Sequence, residues 1–172
     1  MKLRHSVLLL FLALSTLPLP VQASEAKRTV VDYYLLLPKD TFEGSAAEWL
    51  KFLRQPSCGV VDLKNGYMSC TGDGAQPSFE VALFRHSDGR PLLALCTGEL
   101  EGDASVYLTF YELGPDGKMH ALPSSFFPVK ESPSHLRFDL PRQGRTIRVR
   151  DAKSGKVRQL LTWDGEKFQL DK

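Results

Sequence analysis

The chain has 172 residues, 42% hydrophobic and 24% charged, with three cysteines and a formal net charge of +2. Lys2 and Arg4 stand in a leader-like start that holds no acids, so residues 24–172 carry 20 basic and 20 acidic side chains. That length suffices for one domain with a buried core, and the zero net charge argues against general nucleic-acid binding.

The first 23 residues read as a secretory signal peptide. Lys2, Arg4 and His5 form a basic start, Val7 to Leu14 an apolar run, and Val21-Gln22-Ala23 a small-residue cleavage site. The apolar run is too short to span a bilayer, and no lipoprotein cysteine follows it. The expectation is a periplasmic or secreted protein, cut after Ala23, with no stable membrane insertion and a single domain over residues 24–172.

Thr29-Val-Val-Asp32 has the form of a helix-capping box, ahead of Tyr33 to Leu37 and Pro38. A short buried helix and a buried strand both suit the apolar run, and the cap favours the helix. Ser45-Ala-Ala-Glu48 is a second box. Ala46, Trp49, Leu50 and Leu53 then form one stripe of a helix that ends before Pro56.

From Cys58 the period changes to two. CGVVDL and YMSC flank Asn65-Gly66, and FEVALFRH and PLLALC flank Ser87 to Arg90. SVYLTFYEL, KMHAL, LRFDL, TIRVR, VRQLLTW and KFQL follow, separated by glycine-containing turns except across Pro123 to Pro133. Phe126 and Phe127 in that long connection read as a packed loop. The fold class is α+β: one or two short N-terminal helices, then an antiparallel meander forming a curled sheet or partial barrel.

Cys58, Cys70 and Cys96 suggest one disulfide in an oxidising compartment. A two-residue Asn65-Gly66 turn places Cys70 opposite Val61. A four-residue loop from Leu63 to Gly66 places it opposite Gly59 and brings Cys58 close. Cys70–Cys96 is the competing pair. No cysteine has a second thiol or histidine at zinc-ligand spacing. Asp62, Asn65 and Asp73 admit a calcium reading, but the carboxylates are eleven positions apart, and turn chemistry explains them better.

No nucleophile elbow, metalloprotease motif, phosphate loop or CxxC is present, so no catalytic residue, metal site or cofactor is assigned. His86, His120 and His135 could act only where the fold supplies a carboxylate. The strongest feature is basic. Arg137, Arg142, Arg145, Arg148, Arg150, Lys153, Lys156 and Arg158 face only Asp139 and Asp151 within residues 135–158, giving that segment +6. Arginine forks suit carboxylates and phosphates. Equally, charges on an outer hairpin deter unwanted strand pairing. Glu99, Glu101 and Asp103 form an acidic pole that could pair with these cations. Tyr107 and Tyr111 share a strand face with Ser105 and Thr109. That face offers a second binding surface or a seat for the helices.

The leading expectation is a non-enzymatic binding protein, inhibitor-like in its simplest form. It uses Arg142, Arg145, Arg148, Arg150, Lys153, Lys156, Arg158, Tyr107 and Tyr111 against an acidic envelope protein or an anionic glycan or lipid. The alternatives are a carrier of an apolar ligand inside a curled sheet, and a hydrolase whose histidine and carboxylate meet only in the fold.

Overall fold

The computed structural model describes residues 27–42, 45–55, 58–71, 78–98, 107–129 and 135–171. The leader with its expected cleavage after Ala23, Asp73 of the calcium reading, the acidic pole and Ser105 lie outside the described residues.

Both capping boxes start helices. Thr29 caps α1 (Val30–Tyr34), and its backbone N–H donates to Asp32 Oδ2 at 2.6 Å. Ser45 caps α2 (Ala46–Leu53) and donates to Glu48 Oε2 at 2.9 Å. These reciprocal bonds satisfy amides that a helix start leaves without partners. Trp49, Leu50 and Leu53 form the buried stripe of α2.

The strands divide between two open antiparallel sheets. The first runs β1 (Gly59–Asp62), β2 (Tyr67–Cys70), β3 (Ser78–Arg85), β4 (Pro91–Gly98), β5 (Tyr107–Leu113) and β6 (Met119–Ala121), in chain order. The second holds β7 (Leu136–Asp139), β8 (Thr146–Asp151), β9 (Val157–Trp163) and β10 (Phe168–Leu170), also in chain order. The division falls at the long connection, where a short 3-10 helix, Ser124–Phe126, holds Phe126 against the core.

The layers are helices, six-stranded sheet, four-stranded sheet. Val30, Tyr34, Trp49 and Leu53 pack with Met68, Phe79, Val81 and Leu95 on one face of the first sheet. Phe84, Leu92, Ala94 and Phe110 on its other face pack with Phe138, Ile147, Leu161, Trp163 and Phe168. This explains PLLALC, which does not alternate. Strand β4 is covered on both faces, and all six of its first residues are buried. Strand β8 faces another layer on one side only, so Ile147 and Val149 are buried while Arg148 is exposed.

The first hairpin settles the register. Asp62 pairs with Tyr67 and Gly59 with Cys70, so the loop is the four-residue one, Leu63 to Gly66. A type I′ turn needs positive φ at both central residues. Gly66 has it at 67°, but among the described residues no non-glycine residue does, Asn65 included. The Asp62 carboxylate instead accepts from the Asn65 backbone N–H (3.2 Å) and from Nδ2 (2.9 Å), which holds the wider loop. Gly59 lies where α2 meets β1: a Cβ there would stand 2.4 Å from the Ser69 carbonyl oxygen and 2.6 Å from Leu53 Cδ2.

The expected disulfide is absent; all three cysteines stand as thiols. Cys70 pairs with Phe79, and Cys96 with Glu80 on the neighbouring register position, so they occupy opposite faces of the sheet. Cys70 belongs to the helix-side core and Cys96 to the inter-sheet core. Cys58 points its sulfur at Gln55 Oε1, 3.7 Å away. Burial pushes the Cys96 thiol far up, and its Sγ donates to the Phe138 carbonyl at 3.6 Å.

Candidate functional site

The basic segment builds β7, β8, both turns of β8 and the start of β9 in the four-stranded sheet. Part of its charge is neutralised within the molecule. Arg150 reaches Asp139 Oδ2 through Nη2 at 2.5 Å and Nε at 2.7 Å. Arg142 Nε lies 2.8 Å from Asp62 Oδ2, and Arg158 pairs with Asp151. Asp62 is held down at about 2 by Asn65 and Arg142. Asp151 is likewise pushed to about 2, first by the Ser154 amide and hydroxyl and then by Arg158. Arg145, Arg148, Lys153 and Lys156 are exposed and have no carboxylate partner among the described residues. They follow β8 from its entry turn to its exit turn.

The two tyrosines separate. Tyr107 is 59% exposed at the start of β5, whereas Tyr111 is 7% exposed beneath the helix layer and is no part of a surface. Of the two readings of that strand face, the seat for the helices describes Tyr111.

The four-residue loop carries Lys64 toward a cleft that sequence reasoning missed. Its walls come from the start of α1, the β1–β2 loop, β3 and the β7–β8 turn. It encloses about 370 Å³ and is lined by Lys27, Arg28, Lys64, Arg85 and Arg145, with no acidic residue. Arg85 has a fixed side chain: Nη1 donates to the Gly89 carbonyl (3.1 Å), Nη2 to the Arg28 carbonyl (3.2 Å), and its guanidinium lies 5.8 Å from the Tyr33 ring centre. The acids beside these segments are committed elsewhere, Asp32 to the α1 cap and Asp62 to Asn65 and Arg142.

Further polar contacts connect the two sheets. Glu80 on β3 faces the second sheet, where Oε1 accepts from the Tyr67 hydroxyl (2.9 Å) and Oε2 from the Leu140 N–H (3.0 Å). Burial, and to a lesser degree the nearby Asp139 charge, raise its pKa despite these bonds. Trp163 Nε1 donates to the Arg85 carbonyl at 2.8 Å, and the Ser87 N–H to the Gly165 carbonyl at 3.0 Å.

Two of the histidines described stand beside a carboxylate. His120 Nε2 lies 2.8 Å from Asp116 on an exposed turn, and His135 is exposed. His86 Nε2 stands 2.9 Å from Glu112 Oε1, within ion-pair range but outside hydrogen-bond geometry. Its side chain is 10% exposed and packs edge-on to Trp163, ring centres 5.2 Å apart. Neither His86 nor Glu112 lines the basic cleft or the two other clefts described, at β7–β9 and beside Gly114.

The inter-sheet space is occupied by aromatic rings. Phe168 has Trp163, Phe110 and Phe127 around it at centroid distances of 5.0, 5.1 and 5.1 Å. Searches among known proteins found no matching family model, no matching curated protein and no matching solved structure.

Proposed function

We propose that this is an exported, non-enzymatic binding protein whose basic β8 surface holds an acidic protein partner. The observation that supports it is the run of Arg145, Arg148, Lys153 and Lys156, exposed along one strand and its turns without a carboxylate partner among the described residues. Such a row steers an acidic face toward the sheet and fixes its register. Ile147 and Val149 anchor the other side of that strand in the core. Arg142, Arg150 and Arg158, already paired within the chain, orient the surface rather than supply its free charge.

The reading is tested by cross-linking in envelope extract with wild type and with the double variant Arg148→Glu/Lys156→Glu. A cross-linked partner that disappears both in the variant and on adding salt is the expected result. Partners that persist through both treatments would remove the basic surface from the account.

A further inference from the structure

The basic cleft is separate from the β8 face except for Arg145, and its shape differs. It is concave, where the β8 face is a strand surface. Five basic residues from four chain segments line about 370 Å³. Packing like charges together is unfavourable, and here no acid among the lining residues relieves it. We propose that the cleft binds a small phosphorylated anion carrying at least two negative charges.

The chemistry follows from charge density. A single carboxylate compensates one cation and leaves four. A phosphomonoester or diphosphate brings about two charges per group near neutral pH and offers several acceptor oxygens in a compact volume. Arginine forks match that oxygen geometry in pairs of parallel bonds, while lysine serves as a mobile point charge. The cleft has three arginines and two lysines. Arg85 is already oriented by two carbonyls and the Tyr33 ring, so holding a ligand costs it little side-chain freedom. Gly66 and Gly144 form part of the wall, so backbone rather than side chain borders the space there.

The phosphate could be free or carried on a lipid head group, and two arms separate these sources. Isothermal titration with inorganic pyrophosphate tests the soluble form, with citrate as a carboxylate of comparable charge. Flotation with phosphatidylcholine vesicles, with and without phosphatidic acid, tests the membrane-held form. One site for pyrophosphate, preferred over citrate, assigns a soluble ligand. Flotation that requires phosphatidic acid assigns a lipid phosphate. In either arm Lys64→Glu and Arg28→Glu, both exposed positions, weaken binding at least about tenfold, while Arg148→Glu on the β8 face does not. Thermal melts of each variant confirm that it is folded. Absence of binding in both arms, equal binding of citrate, or binding unchanged by the cleft variants overturns the proposal.

Discussion

Glu80 is the sharpest test of how the two sheets are held together. Changing it to alanine removes the acceptor for the Tyr67 hydroxyl and the Leu140 N–H at once. Each buried donor left without a partner costs about 1–3 kcal/mol, so Glu80→Ala should lose about 2–6 kcal/mol before any cavity cost. Glu80→Gln is different. Its amide oxygen can still accept from the Leu140 N–H, its NH₂ can donate to the Tyr67 oxygen, and it carries no charge at any pH. The carboxyl has a folded pKa above its ordinary 4.5, through burial among Tyr67, Cys96 and Asp139. A group shifted upward contributes stability that is complete below its unfolded value and is lost as pH rises through its folded value. Wild type should therefore lose stability relative to Glu80→Gln as pH rises from about 4.5 toward neutrality. Urea denaturation of the three proteins across that range reads both effects. If Glu80→Gln is as damaging as Glu80→Ala and keeps the wild-type pH slope, the upward shift of this buried carboxyl does not govern the pH dependence of the inter-sheet contact.

Asp62 and Asp151 act in the opposite sense. Their pKa values fall from 3.8 to about 2, so the stability they provide is present above 3.8 and is lost as pH drops toward 2. Asp62→Asn should be less stable than wild type at neutral pH, with the deficit vanishing as pH falls toward 2, so the acid limb is flatter, as followed by circular dichroism; a deficit that stays constant down to pH 2 would refute this. Gly59→Ala should lower the melting temperature, because overpacking there presses on the Ser69 backbone and Leu53; about 1–3 kcal/mol is expected, and an unchanged melt would refute the close approach of α2 to β1. Trp163→Phe leaves the Arg85 carbonyl without its donor and should cost about 1–3 kcal/mol by denaturant titration. Cys96 should resist alkylation in the native protein and react only on unfolding, as mass spectrometry of iodoacetamide adducts would report.

The strands were legible because most of their turns carry glycine and their side chains alternate. The two helices were legible from their reciprocal caps. The layered arrangement was not, although PLLALC held the clue: an antiparallel strand without alternation has company on both faces. Asn65-Gly66 pointed to a two-residue turn, and the Asp62 carboxylate outweighed it by capturing Asn65. The β8 cations could be found because they are neighbours in sequence, but which of them Asp62 and Asp139 neutralise depends on contacts made in space. The cleft was hidden for the same reason. Lys27, Lys64, Arg85 and Arg145 are dispersed, and each alone reads as an ordinary surface charge.

Among the described residues, every strand pairs only with its predecessor or successor in the chain. A polypeptide released N-terminus first can therefore complete its six-stranded layer before residue 136 has emerged. Until residues 136–170 arrive, Phe84, Leu92 and Phe110 face water, and premature self-association competes with the final docking step. Speed in forming the last two hairpins thus guards the newborn chain, and local pairing is the topology that supplies it.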